Sequence, residues 1–206
     1  MIIAVDGPAA SGKGTIAKAL AHHYALPHLD TGLLYRAVAA TVRRRGLDPT
    51  SEADALAGCD FDALALADPA LRDDAVGLLA SVVSAHPAVR AALLDRQRRF
   101  AAQPGGAVLD GRDIATVIAP GADAKLFITA APDVRAARRH AELAGRGETI
   151  GYDAVLADIR ARDQRDTGRD TAPLMRSADA ALLDTSELTI EASIAAAIAL
   201  VEARRG

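Results

Sequence analysis

Nine consecutive residues, Gly7-Pro8-Ala9-Ala10-Ser11-Gly12-Lys13-Gly14-Thr15, have the types and spacing that bind a polyphosphate. Glycines at 7, 12 and 14 let the backbone turn tightly with its N–H groups converging on one point, and a helix N-terminus behind the loop adds partial positive charge there. Lys13 supplies a mobile cation for the β and γ phosphates of a nucleotide, and it is one of only three lysines beside 21 arginines. Gly14 follows the lysine and a hydroxyl comes only at Thr15, so the common direct protein ligand for Mg²⁺ is missing. The ion is then held mainly by phosphate oxygens and water, with a carboxylate elsewhere orienting that water.

Transfer of a phosphoryl group to another phosphate is mainly an electrostatic problem, because the acceptor oxygen is already ionised at about pH 7 and needs no strong base. Arginines should then outnumber bases. Arg36 follows Asp30-Thr31-Gly32, Arg112 stands after an apolar run, Arg138 and Arg139 precede the break Ala144-Gly145-Arg146-Gly147, and Arg162 and Arg169 follow it. A planar guanidinium grips two phosphate oxygens at once. From Arg162 to Asp170, positions 162, 166 and 169 share one face if a helix continues, although Thr167-Gly168 signals its end. Taken alone, that run also reads as a solvated face laced with ion pairs. Asp110 closes the run Ala107-Val108-Leu109 and is a candidate for orienting a Mg²⁺-bound water, or for capping the turn before Arg112.

These residues need elements to position them. Apolar runs alternate with helical patterns: strand 2–5, helix 13–25, a short strand at 28–29, helix 32–45, then a less regular stretch to about 86 with alanine-rich helix pieces. Strands at 107–110, 125–129 and 180–183 follow, with helices from about 132, from about 152, and over 189–204. The alternation predicts an α/β fold, a five-stranded parallel sheet with helices on both faces. Ligands of such sheets lie at the carboxyl ends of the strands, where Asp6-Gly7, Asp30 and Asp110-Gly111-Arg112-Asp113 fall. Residues from about 47 to 86 and the break at 144–147 look inserted, one as an acceptor-binding arm and the other as a hinged lid.

A chain of 206 residues, half of them hydrophobic, can bury one good core. Net charge is −3, so no global basic field points to nucleic acid or an anionic membrane, and Arg43-Arg44-Arg45 before Gly46 suit a helix C-terminus. The single Cys59 excludes an intramolecular disulfide, which predicts a cytoplasmic protein. The first apolar run ends at Asp6, so no secretory signal is expected, and Ile194–Val201 is too short to span a bilayer. Aromatic residues make up 3%, so base recognition must rest on hydrogen bonds and charge more than on stacking.

Taken together, these motifs resemble the cytidylate kinase family of nucleoside monophosphate kinases, which transfer the γ-phosphate of ATP to CMP or dCMP. The resemblance covers nearly the whole length. It rests on Gly7 to Thr15, Asp30-Thr31-Gly32 with Tyr35-Arg36, Ser81 through Pro87 to Arg90, Asp110-Gly111-Arg112-Asp113, and Arg162 to Arg169 followed by Ala172-Pro173-Leu174. It implies a single kinase domain over 1–206 with a P-loop NTPase core at 1–37, 87–138 and 166–206. An NMP-binding insertion is implied at about 38–86 and a lid at about 139–165.

Carried over residue by residue, the resemblance puts Gly7 to Thr15 around the phosphates of ATP. Thr31, Arg36, Arg112 and Arg169 fall around the acceptor phosphate, Ser81, Arg90 and Asp113 around the base, and Arg162 and Asp166 near the ribose and phosphates. Lys13, Arg112, Arg138, Arg162 and Arg169 would stabilise the transferring group, with Arg138, Arg139 and Arg146 as lid arginines. Cytosine offers an N4 amino donor that Asp113 can accept, and N3 and O2 acceptors for Arg90 and Ser81. Uracil reverses the first two groups, so UMP should be the poorer substrate. The chain departs from the family at Thr31, where serine is common, at Ala115, where glycine is usual, and in a shorter acceptor-binding insertion. The implied partners are MgATP and CMP or dCMP, with no nucleic acid and no membrane, acting on a monomer. Two other readings are a P-loop kinase for a different small acceptor and a nucleotide-driven switch. No Asn-Lys-x-Asp guanine signature is present, and the phosphate-gripping side chains are all retained.

Overall fold

A computed structural model of the chain describes residues 1–205. Among them, five strands form one sheet: β1 (Ile2–Asp6), β2 (His28–Asp30), β3 (Ala107–Gly111), β4 (Ala124–Thr129) and β5 (Ala181–Asp184), in the order β2-β3-β1-β4-β5. β1 pairs parallel with β3 and with β4, and β4 pairs parallel with β5. A central parallel strand is covered on both faces, which is why β1 is a run of apolar residues without alternation, with Ile3, Ala4 and Val5 fully buried. The chain leaves β1 toward β2 on one side of the sheet and leaves β3 toward β4 on the other. The loops after β1 and β3 therefore diverge, and the crevice they leave at the carboxyl edge is where such sheets bind ligands.

The chain divides into two compact units, one made of Met1–Leu29 with the chain from Ala101 onward, the other of Asp30–Phe100. In the first unit, α1 (Lys13–His23) turns Ile16, Ala17 and Leu20 toward Ile3, Val5, Leu126 and Ile128 of the sheet. Ala197 and Val201 of α8 (Ile190–Arg205) complete that core. The helices α6 (Pro132–Gly145) and α7 (Tyr152–Thr167) pack through Ala136, Leu143, Val155 and Ile159, and Ala9 of the phosphate loop joins the same cluster.

The second unit has its own core, built from Leu34, Val38 and Val42 of α2 (Thr31–Arg44), Val76, Ala80 and Val83 of α4 (Asp74–Val83), and Val89 and Leu93 of α5 (Pro87–Ala101). In place of a less regular stretch with alanine-rich helix pieces to about 86, this unit holds α3 (Glu52–Ala57), 3₁₀ turns at Ala63–Ala67 and Pro69–Arg72, and α4, followed by α5. The polar residues that suggested loops are caps: Ser51, Asp62 and Asp68 each accept a backbone N–H at the start of the next short helix. α4 has no one-sided apolar pattern to fix its bounds from sequence, because Asp-Ala-Val-Gly-Leu-Leu-Ala-Ser-Val-Val is apolar nearly all round, with β-branched residues and a glycine that disfavour a helix until packing against α2 stabilises it. No single helix among the described residues is long and apolar enough to cross a membrane.

Candidate active site

The loop between β1 and α1 is organised to leave its N–H groups for an anion. Gly12 enters α1 with φ 85° and no side-chain cap, and the first turn carries no acidic residue, so the helix N-terminus keeps its positive end open. Three loop carbonyls have side-chain partners. Lys13 Nζ lies 3.5 Å from Pro8 O, an Arg135 guanidinium nitrogen donates to Ala9 O at 3.2 Å, and Thr185 Oγ1 lies 3.1 Å from Ser11 O. Gly7 is required where it stands, since a Cβ there would come within 2.0 Å of the Ile128 carbonyl oxygen. The Ser11 hydroxyl is buried in this loop with no hydrogen-bond partner, a group that a phosphate oxygen would satisfy. The loop therefore fits a nucleotide polyphosphate.

Asp110, near the end of β3, is 3% exposed and its Oδ1 lies 2.7 Å from Nε2 of His28 on β2. Its Oδ2 faces the first turn of α1, 3.7 Å from where a Cβ on Gly14 would stand. Among the described residues no three His, Cys, Asp or Glu gather into a metal-binding group. A single carboxylate beside the phosphate loop suits a cation that arrives with the nucleotide and keeps most of its ligands from phosphate and water. His28 carried no local signal in the sequence, because its partner is 82 residues away.

Asp166 joins two of the arginines marked by the sequence. Arg112 Nε donates to its Oδ2 at 2.8 Å, and an Arg169 guanidinium nitrogen donates to its Oδ1 at 3.0 Å. Burial pushes the Asp166 carboxyl up, but Arg112, Arg169 and Arg162 outweigh that and hold it below the ordinary carboxylate range. α7 ends at Thr167, so Arg169 reaches Asp166 from beyond the helix. Leu174 N donates to Asp166 O at 2.7 Å, which turns Ala172-Pro173-Leu174 back onto the helix end.

The other arginines of this unit divide by partner. Arg138 donates to Thr185 Oγ1 at 3.0 Å and to Thr185 O at 2.6 Å, next to the phosphate loop carbonyl that Thr185 contacts. Arg139 and Arg146 both pair with Glu142 at the end of α6. Arg135, which sequence reasoning passed over, is 3% exposed. It grips Asp163 of α7 with two bonds of 2.9 and 2.6 Å and also donates to Ala130 O and Ala9 O. One buried guanidinium thus ties the phosphate loop to the helix that carries Arg162 and Asp166.

In the second unit, α2 begins at Thr31 with no side-chain cap from Asp30, and Thr31 is buried at this N-terminus. Arg36, one turn on, donates to Leu71 O at 2.7 Å and Asp73 O at 3.1 Å. Its guanidinium lies against α4 at Gly77, where a Cβ would stand 2.7 Å from it. Arg90 is 8% exposed, donates to Ser84 O at 3.3 Å, and sits 5.6 Å from the centre of the Tyr35 ring. Ser81 is buried on α4, with its carbonyl accepting from the Ser84 hydroxyl. Helix packing inside this unit brings Thr31 and Arg36 of α2, Ser81 of α4 and Arg90 of α5 into one small body.

Residues 3–203 match the family model described as cytidylate kinase. The chain is 62% identical over 205 residues to the cytidylate kinase of Xanthobacter autotrophicus, covering 100% of this chain and 99% of that protein. It is 58% identical over 206 residues to the cytidylate kinase of Azorhizobium caulinodans, with both chains fully covered. An uncharacterised protein from Eubacterium ventriosum, solved by crystallography, shares the fold at a TM-score of 0.59 with 16% identity, covering 98% of each chain.

Proposed function

This chain belongs to the cytidylate kinase family and phosphorylates CMP with ATP, and we propose that it does so by electrostatic stabilisation from an arginine cluster, with dCMP as a second acceptor. The observation that carries this reading is the pair Arg112 and Arg169 converging on the buried Asp166, in the same unit as the phosphate loop. Asp166 holds both guanidinium groups in place before a substrate arrives, so little reorganisation is left for the moment of reaction.

Gly7 to Thr15 hold the ATP phosphates by backbone N–H groups, with Lys13 as the mobile cation. Asp110 would hold, through water, a magnesium ion that arrives with ATP, and that ion would supply charge neutralisation on the phosphates. Thr31, Arg36, Arg112 and Arg169 hold the acceptor phosphate, and Arg162 and Asp166 fall near the ribose and phosphates. Arg138, Arg139 and Arg146, on the arm formed by α6 and the start of α7, act on the transferring group and exclude water. Ser81, Arg90 and Asp113 read cytosine through its O2, N3 and N4 groups. The single Cys59 suits a cytoplasmic enzyme, and closure around two substrates suits a monomer.

The test is an ADP-release assay with MgATP against CMP, dCMP, UMP, AMP, GMP and shikimate, with Lys13→Met as control. Turnover of CMP and dCMP well above the other acceptors, abolished by Lys13→Met, is the expected result. A preference for UMP or a purine monophosphate would remove the assignment of Ser81, Arg90 and Asp113.

A further inference from the structure

We propose that Asp6 is a positioning residue for base recognition: it caps the turn that follows Asp113 from another strand, and so keeps the Asp113 side chain aimed at the base. The proposal rests on the reading of Asp113 as a base contact.

Asp6 is the last residue of β1 and is 1% exposed. Its two carboxylate oxygens accept from Ile114 N and Ala115 N, each at 2.8 Å. These are the first two N–H groups of the single π-helical turn Ile114–Ile118, which begins directly after Asp113. An aspartate in the cap position ordinarily takes such N–H groups with its own side chain. Asp113 occupies that position and makes no capping bond. The capping role has passed to a residue 108 positions away, and Asp113 is left out of it.

The choice of a carboxylate at position 6 is chemically specific. Two convergent N–H donors need two acceptors, and Asn would offer one acceptor while turning its amide donor against the other N–H. Burial makes a carboxylate unfavourable at this depth and pushes Asp6 up to about 7, with the neighbouring Asp113 adding to the rise and the two N–H bonds and Arg112 opposing it. The compensating gain is geometric. Bonds to two successive N–H groups fix the two peptide planes that leave Asp113, and hence the direction of its Cα–Cβ bond. A misplacement of about 1 Å at a recognition group is enough to cost on the order of 10²-fold in rate.

The test is the ratio of kcat/KM for CMP to that for UMP, a quantity that loss of folded protein does not move. Asp6→Asn should lower this ratio by about tenfold or more, chiefly through KM for CMP, with KM for ATP changed by less than about threefold. In the Asp113→Asn background the same substitution should leave the ratio unchanged, because the group it positions is gone. If Asp6→Asn does not fold, Asp6→Ser takes its place, since a hydroxyl rotates to accept one N–H without a donor clash. A collapsed ratio in Asp113→Asn beside an intact one in the Asp6 variant overturns the proposal, as does an effect confined to KM for ATP. An intact ratio in Asp113→Asn itself removes the base reading, a separate failure that takes the proposal with it.

Discussion

Asp6 and Asp166 are both buried, and their surroundings push them in opposite directions. Asp6 rises to about 7 because burial outweighs its two backbone N–H donors, whereas Asp166 stays low because three arginines outweigh its burial. Between the ordinary 3.8 and about 7 the folded chain binds a proton on Asp6 that the unfolded chain lacks, so stability falls as pH rises through that window, by up to roughly 4 kcal/mol. Asp166 has the opposite sign: its contribution is fully present above 3.8 and is lost as pH falls through its depressed folded value. Thermal melts from pH 4 to pH 8 should show Asp6→Asn with a flatter decline than the wild type, and an unchanged slope would assign the titration to another group. Lys13→Met should lower kcat by about 10² to 10³-fold in the steady state, since the proposed role of this cation at the transferring phosphates matters most in the transition state. A change confined to KM would instead make Lys13 a ground-state binding residue.

Among the elements, α4 shows how one missing side chain can shape a site. Gly77 faces the guanidinium of Arg36, and the 2.7 Å approach leaves no room for a methyl group. Gly77→Ala should raise or preserve Tm, because alanine favours a helix over glycine by about 1 kcal/mol and the displaced group is a flexible side-chain end. The same change should raise KM for CMP by about tenfold, because Arg36 loses its bonds to the Leu71 and Asp73 carbonyls. Steady-state kinetics beside a melting curve checks this, and an unaltered KM would remove Arg36 from the acceptor site. α6 and α7 make the complementary point, since Arg135 and Asp163 join the two helices and Ala9 O ties them to the phosphate loop. A helix pair fastened to the loop at one end brings Arg162 and Asp166 to a fixed place, whereas Arg139 and Arg146 share one exposed glutamate farther along.

At the scale of the molecule, each compact unit carries a hydrophobic core of its own, and the proposed ligand groups are divided among them: the phosphate loop in one, Thr31 and Arg36 in the other. Nucleotide binding should therefore report on the unit that holds the phosphate loop. MgATP at about 100 times its Kd should stabilise by about 2.7 kcal/mol, or roughly 5 to 10 °C in Tm for a chain of this length. Calorimetry of wild type and Lys13→Met, with and without MgATP, checks this; equal shifts in both would place the nucleotide away from the loop. The phosphate loop was legible in the sequence because it is contiguous, and a strand, three glycines and a helix onset dictate its shape over nine residues. The succession of strands and helices along the chain and the arginine motifs were legible for a related reason, since apolar runs and charge spacing are local. The partners that aim those groups were not. Asp6 with Ile114 and Ala115, His28 with Asp110, and Arg135 with Ala9 and Asp163 are joined across 28 to 126 residues. Gly77 beside Arg36 and the helical state of α4 likewise arise from packing against another helix. Local backbone geometry is set by neighbouring residues, and so the sequence by itself determined the loop, the sheet and the family. Which distant side chains meet depends on strand order and helix packing, and only the tertiary structure decided that.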